Sequence, residues 1–350
     1  MSDPTDFCQN NPKIFVPCYV NGNPLVSGTA ATQDAFVSVN YTDFSTSTGS
    51  GNYTNSTNPA HIASASQVGS LWGTVYNKQT KTIFTSSVLR RHAGVGPLGL
   101  GGIYAINPTT NAISNFLDVT TLGINVGSAS VGSDGSRGLS ASATSFSHDS
   151  VAFSQVGKVG IGGLTISSDG NQLYFVNLFD KKVYKLDIST YNAGGAPPTT
   201  STSFAIPGGC SNGNNSRPWG IKYHKGKIYV GVICDGSVTD NRSDMRAFVY
   251  ALDPVANTWS TIFDFPLTYP KGPALLNDDI QQGAASNNWR TWTDNFDQLV
   301  FIDGHYLLRS QPILSGIEFD IDNSMVLAFA DRTGLQGAAD NYGTRSNDTR

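Results

Sequence analysis

Hydrophobic and polar residues alternate in short runs along much of this chain, and most runs end at glycine, asparagine, aspartate or serine. Short runs that are rich in β-branched and aromatic residues and bounded by turn formers predict β-strands. The clearest of these runs fall into three groups of four. The groups are residues 72–76, 82–89, 102–106 and 112–117; residues 163–166, 172–177, 182–187 and 203–206; and residues 219–223, 227–233, 247–253 and 258–263.

Four-stranded units that recur along a chain are the sequence signature of β-propeller blades. The first strands of the three groups contain Trp72, Leu164 and Trp219, and a further first strand contains Ile317, so the spacing is uneven. The long intervals imply insertions, or a degenerate blade that the pattern leaves unrecognised. The insertions would be residues 118–158 and 266–297, and the degenerate blade would include residues 299–302 and 305–308. We therefore predict an all-β fold, a β-propeller of about five to seven four-stranded blades.

The two ends of the chain each carry strands without a complete blade. Residues 314–320 and 325–330 read as a first and a second strand, and residues 13–20 and 35–41 as two isolated strands. Placing all four in the last blade would close the ring and remove two exposed sheet edges. The alternative is a truncated chain whose last blade continued beyond Arg350.

We interpret residues 1–350 as a single β-propeller domain. Its parts are N-terminal strands and a loop (1–65), the blades (66–336), and a tail or truncated continuation (337–350). Two stretches rich in serine, glycine, threonine and asparagine are predicted to be surface loops. These stretches are residues 44–66 and 127–148.

Composition agrees with the strand pattern and excludes two classes of function. Charged residues are only 14% of the chain, against about 25% in an average soluble protein, and 37 glycines supply turns instead. The net charge is −4 and no run of lysine or arginine exceeds two residues, so a nucleic-acid surface is not expected. No apolar run approaches the roughly 20 residues that cross a bilayer, so we expect no membrane insertion.

The four cysteines fall into two local pairs, Cys8 with Cys18 and Cys210 with Cys234. Local pairing would give two disulfide bonds, although four cysteines allow three pairings. The alternative is four free thiols in a cytosolic protein. We favour a secreted or cell-surface protein, because disulfides persist in oxidising compartments. The N-terminus lacks the basic and apolar regions of a signal peptide, so we expect a mature domain or a fragment without its leader.

Several segments resemble a family of bacterial surface proteins, common in Bacteroidetes and cyanobacteria, whose propeller region precedes SdrD-B-like repeats or sorting domains. The matching segments are residues 69–73, 91–104, 156–162, 173–180, 217–220, 289–292, 312–320 and 331–336, with 91–104 and 331–336 the most specific. Together they span roughly residues 66–336. The resemblance implies a β-propeller and an exported location. The absence of an SdrD-like repeat or sorting domain here favours truncation.

Charged residues recur where the predicted second strands end, at one mouth of the central channel. If the register holds, they form a ring that could bind a metal ion, a sugar or a charged peptide, or perform acid–base chemistry. The alternative is that arginine–aspartate pairs brace neighbouring blades. The candidate ligand-binding residues are Arg91, His92, Asp180, Arg217, Asp235, Asp331 and Arg332.

Aromatic and acidic loop residues supply the remaining candidates. Trp289 and Trp292 lie in a polar loop and are predicted to form a carbohydrate platform. Trp72 and Trp219 hold matching first-strand positions and are expected to pack between blades, with sugar stacking as the alternative. Residues 320–323 weakly resemble a Ca²⁺ loop, but the glycine and distal glutamate of an EF-hand are missing. Ca²⁺ is therefore the one cofactor that the sequence suggests.

We predict a binding, adhesion or assembly module for a glycan or a surface protein, including copies of itself. The alternative is a propeller enzyme, a hydrolase or lyase, acting on an extracellular polysaccharide or ester through the Arg/His/Asp cluster. A tight contact between His92 and an aspartate in an open pocket would favour the enzyme. A plugged channel with salt-bridged loops would favour the binding module.

Overall fold

The computed structural model describes residues 11–43, 59–272, 287–302, 306–338 and 341–347. The strands are β1 (Lys13–Pro17), β2 (Asp34–Asn40), β3 (Ala60–Ser64), β4 (Leu71–Asn77), β5 (Thr82–Ser87), β6 (Gly102–Ile106), β7 (Ile113–Asp118), β8 (Ile161–Ile166), β9 (Gln172–Asn177), β10 (Lys182–Asp187), β11 (Thr202–Ala205), β12 (Ser216–His224), β13 (Lys227–Cys234), β14 (Arg246–Asp253), β15 (Thr258–Pro266), β16 (Val300–Ile302), β17 (Tyr306–Leu308), β18 (Pro312–Phe319) and β19 (Met325–Asp331).

Helices are short, and each connects strands or follows one. They are α1 (Thr29–Thr32), α2 (Ala65–Val68), α3 (Ser150–Gln155), α4 (Ser189–Asn192) and α5 (Arg332–Gln336). Single 3₁₀ turns occur at Tyr41–Asp43, Gly99–Gly101, Val119–Leu122, Ser128–Ser130, Arg242–Asp244 and Phe296–Gln298. Among the described residues, no helix is long and apolar enough to cross a membrane.

Three four-stranded antiparallel sheets follow one another along the chain, and this confirms the all-β prediction. Their strand orders are β4-β5-β6-β7, β11-β10-β9-β8 and β12-β13-β14-β15. The turns explain why these segments pair locally. Asp187 and Asp253, the last residues of β10 and β14, accept hydrogen bonds from the amides of Ser189 (2.9 Å) and Val255 (3.0 Å). Such side-chain caps reverse the chain after a strand.

The first strands of successive sheets, β4, β8, β12 and β18, pack beside one another in that order. Each has a break in its pairing register at the equivalent position, beside Gly73, Gly162, Gly220 and Gly316. A Cβ atom on Gly73 would lie 2.9 Å from the carbonyl oxygen of Gly162, and one on Gly220 2.9 Å from that of Leu314. These glycines therefore allow the strands to approach closely at a bulge, which increases local twist. This arrangement supports the β-propeller prediction, and the blade number stays a prediction.

The N-terminal strands do not complete the last blade. β1, β2 and β3 form a separate three-stranded sheet, whereas β18 pairs with β19 in a two-stranded sheet. Phe36 and Ile62 bury the N-terminal sheet against Ile83 and Tyr104 of the first four-stranded sheet. The predicted closure by N-terminal strands is therefore wrong, because this apolar contact, and not chain order, decides where these strands lie.

Two predicted loops also differ from the structure. Within residues 44–66, β3 and the start of α2 are regular, and residues 44–58 lie outside the described residues. Residues 127–148 contain no strand, as predicted, but Asp134 and Arg137 are buried at 5% and 4% exposure. The surface prediction is wrong for this inner part of the loop, since its charged side chains are paired inside the molecule. Residues 299–308 contribute only the β16–β17 hairpin, a sheet of its own among the described strands.

The segment after β19 returns to the exit of β5. The amide of Arg91 donates to the carbonyl oxygen of Leu335 (3.1 Å), and the guanidinium of Arg90 to that of Gly334 (3.2 Å). Further along, the side-chain amide of Asn341 donates to Oδ1 of Asn21 (3.1 Å). In the described part of the chain, the segment after β19 therefore contacts both the exit of β5 and the N-terminal segment around Asn21.

One predicted disulfide is present. Cys210 is bonded to Cys234, which ends β13 and is fully buried. Cys18 is a free thiol, and Cys8 lies outside the described residues. The predicted bridge between Cys8 and Cys18 is therefore not part of the described structure.

The Cys210–Cys234 bond is expected to stabilise the fold by limiting the unfolded chain. Replacing both cysteines with alanine should lower the free energy of unfolding by about 3 kcal/mol, as expected for a closed loop of this size. Urea denaturation of wild type and variant measures the change. Cys18→Ala is the matched control and should leave the free energy of unfolding within about 1 kcal/mol of wild type. Equal stability of the double variant and wild type would contradict this role.

Candidate functional site

The segments that follow β5, β13 and β19 are joined through contacts of Arg91, Asp235 and Arg332, and we call this region the mouth. Its centre is the guanidinium of Arg332, at the start of α5 and fully buried. It donates to the carbonyl oxygens of Val156 (2.9 Å) and Thr293 (2.7 Å), and to Oε1 of Gln311 (3.0 Å). It also pairs with Asp294 at 3.0 Å. One side chain therefore ties three separate segments to α5.

A row of indole rings lies beneath Arg332. The guanidinium carbons of Arg332 and Arg217 lie 4.5 Å and 5.3 Å from the ring centroid of Trp292. A Cβ atom on Gly157 would touch both Trp292 and Trp219, so the two indoles are neighbours. Trp219 in turn packs edge-to-face on Trp72, with 5.2 Å between ring centroids. Packing between first strands, as predicted, explains Trp72 and Trp219.

The predicted aromatic platform is wrong. Trp289 and Trp292 are only 6% and 4% exposed. Their indole N–H groups donate to the hydroxyl of Tyr269 (3.2 Å) and to the carbonyl oxygen of Pro312 (2.9 Å). Both rings are therefore too buried to form an exposed platform.

Two further buried arginines fix the loops on the β5 side of the mouth. Arg91 donates to the carbonyl oxygens of Gln336 (3.1 Å) and Tyr342 (2.7 Å). Arg137 pairs with Asp134 at 2.9 Å and Asp149 at 2.6 Å. This second cluster was missed in the sequence analysis. The signal was available, since Asp134, Arg137 and Asp149 are the charged residues of the insertion between Asp118 and Lys158.

His92 is held in the left-handed backbone region, at φ 68°, and is 2% exposed. Its backbone amide donates to Oδ2 of Asp149 (2.7 Å), and its ring Nδ1 contacts Oγ of Ser147 (2.9 Å). Burial, with the nearby charges of Arg91 and Arg137, lowers the pKa of His92 from 6.5 to about 2. The ring is therefore neutral at physiological pH and does not face an aspartate in an open pocket.

Of the remaining predicted residues, Arg217, Asp235 and Asp331 have contacts in the mouth, and Asp180 has its contacts elsewhere. Arg217 pairs with the fully buried Asp235 at 2.7 Å, and the amide of Trp292 donates to the carbonyl oxygen of Asp235 (2.9 Å). Asp331 caps α5 by accepting from the amide of Thr333 (2.9 Å), and burial raises its pKa. Asp180 instead accepts from the hydroxyl of Tyr184 (2.5 Å), away from these contacts.

A groove of about 510 Å³ opens beside the plugged mouth, and we call it the mouth groove. Asp294 in its wall is held between Lys158 and Arg332. Burial alone would raise the pKa of Asp294, but the two cations outweigh it and hold the pKa below its ordinary value. Burial has the opposite effect on the Lys158 ammonium group, and it lowers the pKa of that group. The lining residues are Lys158, Asp235, Ser237, Asp240, Trp292, Thr293, Asp294, Asn295 and Gln298.

Asp240 is the most exposed charged residue of the groove, with its side chain 70% accessible. Its backbone is in the left-handed region, at φ 47°. Oδ1 accepts from the hydroxyl of Thr291 and from the guanidinium of Arg309 (3.4 Å). The groove therefore presents carboxylates whose positions are fixed by neighbouring donors.

The predicted Ca²⁺ loop is the turn between β18 and β19. Oδ1 of Asp322 accepts from the amide of Ser324 (2.7 Å), and Oδ1 of Asp320 from the amide of Ile321 (2.6 Å). Within the described residues, no group of three or more histidine, cysteine, aspartate or glutamate side chains could hold a metal ion.

Sequence relatives of this chain occur in Dictyostelium discoideum, and no family model matches it. The chain is 26% identical to Colossin-A over 345 residues, which is 95% of this chain and 3% of that protein. It is 26% identical to Colossin-C over 276 residues, 78% of this chain and 24% of that protein. The chain thus spans a small part of the curated relatives it matches. The bacterial origin implied by the resemblance stays a prediction.

Solved structures align with the chain at low similarity. A GH43 β-1,3-galactosidase with galactodeoxynojirimycin aligns with a TM-score of 0.37 and 9% identity, covering 93% of this chain and 92% of that one. A chain of a nidogen–laminin complex aligns with a TM-score of 0.37 and 8% identity, covering 75% and 65%. TolB from Acinetobacter baumannii aligns with a TM-score of 0.33 and 12% identity, covering 90% and 50%.

Removing the Arg332 guanidinium should destabilise the fold strongly. Arg332→Met leaves several buried acceptors without a donor, so we expect the free energy of unfolding to fall by about 3–5 kcal/mol. Urea denaturation measures it. Arg246→Met, which removes an exposed partner of Asp264, is the control and should cost less than about 1 kcal/mol. A similar decrease in the free energy of unfolding in both variants would show that the buried Arg332 does not hold the mouth together.

Stability should depend on pH through His92. Its folded-state pKa of about 2 lies below the ordinary 6.5, so below pH 6.5 only the unfolded chain takes up this proton. Protonation of His92 therefore leaves the free energy of unfolding unchanged above pH 6.5. Below pH 6.5 it lowers the free energy of unfolding by about 1.4 kcal/mol for each pH unit. Between pH 6.5 and 5, wild type should therefore lose about 2 kcal/mol more than His92→Asn. Urea denaturation at each pH measures this, and equal pH slopes would contradict it.

Proposed function

We propose that this chain is an extracellular or cell-surface recognition module that binds a glycan or a protein partner at the mouth groove. The observation that carries the proposal is the contrast between the two halves of this face. The centre of the mouth is filled by Arg332 and Trp292, both buried. The groove beside it leaves Asp240 and Asp294 accessible, at 70% and 48% of their side-chain surface.

The groove is suited to recognition because its charged groups are already in position. Asp294 is oriented by Lys158 and Arg332, and Asp240 by Thr291 and Arg309. Fixed groups lose little conformational entropy when a ligand binds, and this raises affinity for a matching partner. Asp235, another lining residue of the groove, is held in position by its ion pair with Arg217.

Of the two ligand classes, the charges favour a protein partner that presents basic side chains. Asp240 is the most accessible charged lining group, and its ion-pair partner Arg309 lies at 3.4 Å, at the long end of ion-pair distances. Accessible carboxylates attract cationic groups and increase the association rate, an effect that salt weakens. A lysine or arginine side chain that reaches Asp240 and Asn295 would find both a charge and an amide acceptor.

An extracellular location is part of the proposal and rests on the Cys210–Cys234 bond. Cys234 is fully buried at the end of a central strand, so the bond belongs to the folded core and not to a mobile tail. Disulfides of this kind persist in secreted and cell-surface proteins.

The proposal is tested by panning a random peptide library against the immobilised protein, in parallel with a printed glycan array. We expect enrichment of peptides rich in lysine and arginine, with affinity that falls as salt is raised. Asp240→Ala should weaken the selected peptides about fivefold or more, since about 1 kcal/mol is lost with such a contact. Asp264→Ala removes another accessible carboxylate paired with one arginine, and it should leave binding unchanged.

Two outcomes would change the conclusion. Glycan binding that Asp240→Ala abolishes would keep the mouth groove as the site and replace the protein partner with a sugar. Peptide and glycan binding that is equally strong in Asp240→Ala and wild type would exclude the mouth groove.

A further inference from the structure

A second cleft lies on the N-terminal side of the molecule and shares no lining residue with the mouth groove. Its volume is about 490 Å³. One wall is the connection between β1 and β2, and the other is the loop that contains Ala143. Polar side chains dominate the lining, and they are Tyr19, Asn21, Thr32, Gln33 and Asp34.

The walls of this cleft are tied together. The side-chain amide of Asn21 donates to the carbonyl oxygens of Ala143 (2.9 Å) and Ser145 (2.7 Å). The amide of Ala143 in turn donates to Oγ1 of Thr29 (2.9 Å). Because both walls are fixed by direct hydrogen bonds, the cleft is formed before any ligand arrives. A preformed cleft avoids the entropy cost of ordering its walls.

Tyr19 gives the cleft an aromatic surface in a fixed orientation. The guanidinium carbon of Arg90 lies 4.2 Å from the centroid of the Tyr19 ring. Burial, opposed by the nearby Arg90, raises the pKa of Tyr19 to about 12, so its hydroxyl stays protonated and can donate. A ring that is packed on one side and polar at its tip suits ligands with both C–H and O–H surfaces.

Several polar groups of the cleft have unused hydrogen-bonding capacity. In the described part of the chain, the Tyr19 hydroxyl and the Gln33 side-chain amide have no protein partner. Asp34 contacts Nδ1 of His61 through Oδ1 alone, which leaves Oδ2 able to accept. A donor, an amide and a carboxylate oxygen therefore line one cleft without satisfying one another.

These groups select the chemical class of ligand. The lining residues include one carboxylate and no cation, so a phosphate or another anion would find no ion-pair partner among them. The many polar groups disfavour an apolar ligand, since each would lose water without a replacement. Vicinal hydroxyl groups on a ring with C–H faces match the carboxylate, the amides and the tyrosine together. We propose that this cleft is a binding site for an uncharged saccharide.

Saturation-transfer NMR with lactose, cellobiose, mannobiose and N,N′-diacetylchitobiose tests the proposal. We expect transfer from wild type to at least one disaccharide. Gln33→Ala and Tyr19→Phe should each reduce that transfer about fivefold or more, as expected for the loss of one contacting polar group. Gln79→Ala is the matched control, because Gln79 is an exposed glutamine in the turn after β4, and it should bind as wild type does.

The outcomes separate this site from the mouth groove. Transfer that is lost in Gln33→Ala and kept in Asp240→Ala supports the N-terminal cleft, whatever the mouth groove binds. Transfer that is lost only in Asp240→Ala overturns the proposal and assigns sugar binding to the mouth groove. Absence of transfer to all four disaccharides, or equal transfer in wild type and Gln33→Ala, also overturns it. Circular dichroism of each variant confirms that it is folded.

Discussion

Burial of three guanidinium groups is the constraint on which the mouth depends. Arg91, Arg137 and Arg332 are each less than 5% exposed. A charge removed from water costs several kcal/mol unless hydrogen-bond acceptors surround it. In this protein many of the acceptors are loop carbonyl oxygens, so each arginine imposes a position on the segments it touches. Loops with little regular structure are thereby fixed by side-chain hydrogen bonds.

Close packing of the first strands provides the frame for this arrangement. Each first strand has a bulge beside a glycine, and a side chain on Gly73, Gly162 or Gly220 would crowd the neighbouring strand. The indoles of Trp72, Trp219 and Trp292 fill the space that remains, and Arg217 and Arg332 cover the last ring. Interiors of proteins are packed to the density of organic crystals. The large indole rings therefore fill the volume that the glycines leave empty.

The centre of the mouth is filled, and the two proposed sites lie beside it and on the N-terminal side. The mouth groove and the N-terminal cleft differ in chemistry, since the first presents paired charges and the second uncharged polar groups, a tyrosine and one carboxylate. Both are bounded by loops that hydrogen bonds fix in place. The segment around Asn341 touches the wall of the N-terminal cleft through Asn21, and Arg91 in the mouth holds the same segment at Tyr342. The two sites therefore share a support without sharing a lining residue.

The sequence alone determined the strands, because alternation, β-branched residues and turn formers act within a few residues of one another. Predicted and observed strands agree closely, as for residues 172–177 and 182–187 with β9 and β10. It also pointed to charged residues after the second strands, and a ligand-binding role for them stays a prediction. Only the tertiary structure decided their partners: Arg91 binds carbonyl oxygens, Trp292 lies buried, and β1 joins a separate sheet. Burial and pairing depend on residues far apart in the chain, whose contacts local patterns do not encode.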